Sequence, residues 1–182
     1  KDNKINNNTI LSYSKREILI NNDRIKHPVF RDLLKYHELN NVEIHTISDL
    51  PSGLGLGSSS SFTAALIKCI NEFNSQKLSK KNLVFDSINC ERKRLKESGG
   101  YQDQIATVYG GINFIEFSKK YTFKVNQLKI VNKTIRSLED SCFLLFFNRK
   151  KHSSKLSFAR TILKSEQIML LHELKNHAKI AK

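Results

Sequence analysis

Tryptophan is absent from this sequence, methionine occurs once, proline twice and cysteine three times. Two prolines and seven glycines in 182 residues rule out collagen-like and proline-rich low-complexity architectures. Cys69, Cys90 and Cys142 are odd in number, far apart and set in apolar patterns. They argue against a disulfide framework and against a zinc site, and read as buried thiols in a reducing compartment. No apolar run approaches the length of a membrane span and no signal-peptide pattern opens the chain, so the expected location is cytoplasmic. Acidic residues are also scarce: 17 Asp and Glu stand against 31 Lys and Arg, a formal net charge of +14. That excess suits a phosphate-bearing partner, whether nucleic acid, an anionic membrane or a small phosphorylated substrate. Part of it travels with Asn and Ile, as in KDNKINNNTI, and biased codon usage accounts for that part equally well.

A hydrophobic content of 39% is enough for the core of one large domain or two small ones. TILSYSKREILI alternates loosely and reads as a strand or strand pair, and HPVFRDLLKYHEL, with Pro28 near its start, reads as a helix. NVEIHTISDL is a strand candidate. From Ser58 onward Phe62, Ala65, Leu66, Cys69, Ile70 and Phe73 keep helical spacing. A second helix is expected from about Leu78, capped by Ser79, to Leu95, and the glycines of ESGGYQDQIATVYGG flank a short one. INFIEF and YTFKVNQLKIV read as the strands of a hairpin, and CFLLFF as a buried strand. The remainder reads as a helix with Ile168, Leu171, Leu174 and Ala178 on one apolar face. The six histidines show no spacing suited to a metal or a relay.

Between the strand candidate and the first long helix lies LPSGLGLGSSSSFTAAL, which holds three of the seven glycines and four consecutive serines. A helix N-terminus exposes unpaired N–H groups and the positive end of its dipole, and glycine lets an anion approach the backbone. Gly53, Gly55 and Gly57, followed by Ser58, Ser59, Ser60 and Ser61, supply a phosphate cradle with added hydroxyls. No Lys follows the last glycine, so this is not a Walker loop, nor is it GxGxxG. A tight strand-to-helix turn capped by serine is the plainer alternative.

The string PSGLGLGSSSSFTAAL resembles the central phosphate-binding motif of the GHMP small-molecule kinases, the superfamily of galactokinase, homoserine kinase and mevalonate kinase. GGYQDQIATVYGG is similar to the segment that in sugar-kinase members carries a catalytic aspartate before a glutamine, here Asp103 and Gln104. With YSKREI, HPVFRDLLK, LLFFNRKKHSSKL and LHELKNHAKIAK, the resemblance is to the branch acting on D-glycero-D-manno-heptose 7-phosphate. That branch usually has Pro and Lys where this chain has Ser98 and Tyr101. Neither the family's opening strand-and-glycine motif nor its late Gly-rich motif is found, so the chain is expected to be incomplete at both ends.

The resemblance implies an α+β fold of two lobes. The first, related to a ribosomal-protein domain, would cover residues 1–137; the second, ferredoxin-like, would begin over 138–182. It also implies ATP-dependent phosphorylation of the anomeric hydroxyl of a sugar phosphate, with Mg²⁺ as cofactor. The alternatives are another sugar 1-kinase, such as a fucokinase or galactokinase, or a non-catalytic sensor of ATP and sugar. A nucleic-acid binder would suit the charge, but the chain has no clear aromatic-basic platform. Pro51, Gly53, Gly55, Leu56, Gly57, Ser58, Ser59 and Ser60 would then hold nucleotide phosphate. Asp103 would take or orient the proton of the attacking hydroxyl, and Glu91, twelve residues earlier, would bind metal together with Ser59. Asp103 also fits a helix cap, and Glu91 an exposed helix residue paired within ERKRLKE. The basic runs ERKRLKE and NRKKHSSK read as solvated faces, the second also as a substrate mouth.

Overall fold

The computed structural model describes residues 7–49, 55–118, 122–143 and 165–181. The chain divides into two compact units, Lys1–Tyr109 and Gly110–Lys182. The expected lobe boundary at residue 137 lies inside the second.

In the first unit TILSYSKREILI does form a strand pair. β1 (Thr9–Ser12) runs antiparallel to β2 (Arg16–Leu19), with Ile10 opposite Ile18, and parallel to β3 (Glu43–His45), giving the order β2-β1-β3. The third strand is shorter than NVEIHTISDL suggests, because pairing with β1 ends at His45. Strand alternation turns Thr9 and Leu11 inward. α1 (Pro28–Tyr36) starts with proline in its first turn, where the missing N–H costs nothing. Its buried Val29, Phe30, Leu33 and Leu34 fall on one face at helical spacing. They meet Leu11, Ile25, Val42, Leu66, Ile67, Ile70, Leu83 and Cys90 in the main core.

α2 (Ser58–Phe73) crosses this core and packs on α3 (Lys80–Ile88) and α4 (Gln102–Tyr109). Ser79 caps α3, its hydroxyl accepting from the Asn82 N–H at 3.2 Å. α3 does not continue as an α-helix to Leu95: it passes into a π-helical turn over Asn89–Arg94. Arg94 Nε donates to both carboxylate oxygens of Asp32 on α1, at 3.0 and 2.8 Å, and its guanidinium lies over the Tyr36 ring. The end of the π turn is thereby tied to α1. ERKRLKE is therefore not a wholly solvated face.

In the second unit β4 (Asn113–Phe117) and β5 (Phe123–Gln127) form the expected hairpin, with Ile115 opposite Val125. α5 (Asn132–Asp140) is a helix the sequence pattern did not suggest, since its apolar residues are only Ile135 and Leu138. Cys142 and Phe143 are exposed and in no strand, and the rest of CFLLFF lies outside the described residues, as does NRKKHSSK. α6 (Ser165–Ile180) is helical as expected, but Ile168, Leu171 and Leu174 are exposed. No described helix is long and apolar enough to cross a membrane. The three thiols are free, and only Cys90 is buried; Cys69 lies exposed on α2.

His27, at the start of α1, sits among the rings of Tyr13, Phe30 and Phe62 at centroid distances of 4.9–5.2 Å. Burial lowers its pKa from 6.5, opposed by the charge of Glu17. Glu17 is itself held low despite its burial, because it accepts from the Lys26 N–H and the Tyr13 hydroxyl. His37 is lowered by burial in the same way. A group whose folded pKa is depressed binds fewer protons when folded, so its contribution is complete above the unfolded value and is lost as pH falls below it. Thermal stability should therefore fall below pH 6.5, by at most about 1.4 kcal/mol per pH unit for each histidine. His27→Phe should reduce that slope; melting curves from pH 7.5 to 5 that keep the full slope would assign the loss elsewhere.

Candidate active site

The chain enters α2 through glycines with left-handed backbone: Gly55 has φ +77° and Gly57, at the N-cap, φ +71°. Gly57 has no side chain with which to cap this helix, so the N-cap residue leaves the N–H groups of the first turn without a side-chain acceptor. Pro51 and Gly53 lie outside the described residues. Leu56 is exposed, and Ser58 and Ser59 stand at the helix start, Ser59 exposed with its carbonyl accepting from the Thr63 hydroxyl at 3.1 Å.

Asp103 lies in the first turn of α4, close against this glycine. A Cβ placed on Gly57 would stand 3.7 Å from Asp103 Cγ and 3.8 Å from its Cβ. A carboxylate and the N-terminus of a phosphate-type loop thus share one spot. Asp103 is the second residue of α4, inside the first turn.

Ser60 points inward instead. Its hydroxyl donates to Glu91 Oε2 at 3.0 Å, and Gln104 Nε2 donates to Ser60 Oγ at 3.0 Å and also to Glu91 Oε2. The three side chains are 3%, 1% and 0% exposed for Ser60, Glu91 and Gln104, so Glu91 is not a surface helix residue. It sits in the π-helical turn, an irregularity that often marks functional positions. The structure brings Ser60, and not Ser59, against Glu91. Glu91 Oε1 and Gln104 Oε1 are buried with no hydrogen-bond partner among the described residues. No cluster of three or more His, Cys, Asp or Glu side chains suited to a metal occurs among them.

Arg92 ties these parts together. It lies 3.6 Å from both Glu91 Oε2 and Glu97 Oε2, and its Nε donates to the Gly100 carbonyl at 2.9 Å, just ahead of α4. Burial, then the neighbouring Glu91 charge, raises the Glu97 pKa, and Arg92 opposes both. Burial also raises the Cys90 thiol pKa, helped by Asp32, which leaves it a packing residue. Gln104 and Arg92 received no role from the sequence. The only signal for Gln104 was its place next to Asp103, one helical step round the axis and so on a different face.

Residues 23–111 match the family described as the GHMP kinases N terminal domain. They are a GHMP kinase N-terminal domain. The chain is 39% identical over 105 residues to a D-glycero-alpha-D-manno-heptose 7-phosphate kinase of Campylobacter jejuni, covering 58% of this chain and 31% of that protein. It is 29% identical over 102 residues to glucuronokinase 1 of Arabidopsis thaliana, covering 53% of this chain and 28% of that one. Among solved structures, a D-glycero-D-manno-heptose 1-phosphate kinase from Bacteriodes thetaiotaomicron superposes with a TM-score of 0.66 at 25% identity. The superposition covers 76% of this chain and 49% of that one. The chain thus spans about a third of the curated relatives' length and half that of the solved one. The GHMP domain contains every described member of the site: Gly55 to Ser60, Glu91, Asp103 and Gln104.

Proposed function

We propose that the protein carrying this chain transfers the γ-phosphoryl group of ATP to the anomeric hydroxyl of a sugar phosphate, D-glycero-D-manno-heptose 7-phosphate being the favoured substrate. The observation that carries this reading is the approach of Asp103 to Gly57 at the N-terminus of α2. The likeness to heptose phosphate kinases supports the choice of sugar.

In this reading the first-turn N–H groups of α2 and the hydroxyls of Ser58 and Ser59 hold nucleotide phosphate, and glycine at 55 and 57 lets it come close. Asp103 orients the attacking hydroxyl and accepts its proton. Glu91, with its bare buried Oε1, offers one hard oxygen ligand of the kind suited to a divalent cation that keeps several waters. Held there by Glu91, Mg²⁺ would supply positive charge to offset the negative charge that develops on the transferred phosphoryl group.

A coupled assay of ATP consumption against a panel of sugars and sugar phosphates tests the proposal. The phosphorylated heptose should show the higher kcat/KM, and that value should fall with added salt, as steered association of an anion with a chain of net charge +14 requires. Equal kcat/KM for the sugar and its phosphate would overturn the substrate class. Likeness to glucuronokinase favours a second reading, a kinase for an unphosphorylated sugar acid, and the same panel separates the two.

A further inference from the structure

We infer that Gln104 is a positioning residue: its amide saturates one oxygen of Glu91 and leaves the other as a single bare ligand atom for a divalent cation. The inference rests on the reading of Glu91 as the metal carboxylate.

Donors crowd one side of this carboxylate. Oε2 accepts from the Ser60 hydroxyl at 3.0 Å and from Gln104 Nε2, and Arg92 Nη2 stands 3.6 Å from it; Oε1 has no hydrogen-bond partner among the described residues. Gln104 creates the imbalance twice over. Its Nε2 donates to Oε2 directly and also to Ser60 Oγ at 3.0 Å, which occupies a lone pair of the hydroxyl and leaves its proton for Glu91. The reverse orientation of the amide would aim a carbonyl at a carboxylate, so the hydrogen-bond network itself sets which atom faces Glu91. The great majority of buried carboxylate oxygens are hydrogen-bonded, and the other bare atom of this cluster is Gln104 Oε1, the far end of the same amide. On Glu91 one oxygen is filled and one is open, the pattern expected when outer partners orient a ligand.

Gln104 is adjacent to Asp103 in the first turn of α4. A single turn therefore sets one carboxylate against Gly57 and clamps the other from behind.

The test titrates Mn²⁺ alone into the purified protein, following free Mn²⁺ by electron paramagnetic resonance, with melting temperatures measured in EDTA. The variants are Gln104→Met, which keeps the volume and removes the amide, Glu91→Gln, and the two combined. Gln104→Met should weaken Mn²⁺ binding about 10- to 100-fold, and in the Glu91→Gln background it should weaken it no further. A lower melting temperature in EDTA with unchanged Mn²⁺ affinity would make Gln104 purely structural and overturn the inference. An equal loss in both backgrounds would also overturn it, since Gln104 would then act on the cation directly. If Glu91→Gln itself leaves Mn²⁺ binding intact, the underlying reading of Glu91 fails and this inference with it. Should Gln104→Met not fold, Ser60→Ala carries the same test, because it removes the donor that Gln104 orients. Its expected result is weaker Mn²⁺ binding that vanishes in the Glu91→Gln background; undiminished affinity would overturn the clamp.

Discussion

Asp103→Asn is expected to lower kcat by about 10²–10⁴, or about 3–5 kcal/mol of transition-state stabilisation, with little change in KM for ATP. The substitution keeps the shape and hydrogen-bonding reach of the side chain while removing its charge and its capacity to take a proton. Asp103 lies against Gly57, where the reacting phosphate would sit, so chemistry should suffer more than binding. If the carboxylate only orients the hydroxyl, the loss should fall at the small end of the range. If it only stabilises the first turn of α4, the melting temperature should drop while kcat per folded molecule holds. Measuring both quantities on one preparation decides, and an unchanged kcat per folded molecule would end the catalytic assignment.

Gly57→Val should abolish the heat of Mg-ATP binding at concentrations that saturate the wild type. Gly57 has φ +71°, a region where a β-branched residue is strained, and its open side faces Asp103. A branched side chain would fill the space between the carboxylate and the helix N-terminus that phosphate needs. Gly55→Ala is the control. Gly55 has φ +77° but nothing lies within 4 Å of an added Cβ, so Gly55→Ala bears the backbone strain, about 1–3 kcal/mol, without obstructing Asp103. Calorimetric titration should find it weakened far less than Gly57→Val. Wild-type affinity in folded Gly57→Val would remove the cradle from the proposed function.

Much of the first unit was legible because local signals agreed with the fold. Pro28 opens α1, Ser79 caps α3, and the glycine loop turns a strand region into α2. Helix phase was harder to read. Phe62, Ala65, Leu66, Cys69, Ile70 and Phe73 gave an apolar stripe, yet the buried positions of α2 are Ser60, Thr63, Ala64, Leu66, Ile67, Ile70 and Asn71. The true face is rotated because it holds three polar residues whose hydroxyl or amide groups find partners: Ser60 with Glu91, Thr63 with the Ser59 carbonyl, and Asn71 with the Ile67 carbonyl. Hydrophobic pattern cannot register such residues as inward. That one rotation leaves Cys69 exposed and sets Ser60, where Ser59 was expected, beside Glu91. Gln104 escaped for a related reason, since its burial depends on a partner thirteen residues away on another element. In the second unit α5 carries too few apolar residues to give a period, and a helix of that kind cannot be read from pattern alone.

The π-helical turn makes chain length part of the design. It holds more residues per turn than an α-helix and lies between two fixed anchors: Leu83 and Val84 of α3, buried upstream, and Arg94, tied to Asp32 downstream. Glu91 faces inward at the point where this slack is taken up. Removing one residue there, while keeping every side chain named above, would restore an α-helical register and swing the downstream residues about 100° round the axis. Either Glu91 or Arg94 would then lose its partner. The spacing between these anchors is as specific as the residues themselves, and an insertion or deletion would break contacts that most substitutions in the same turn would leave standing.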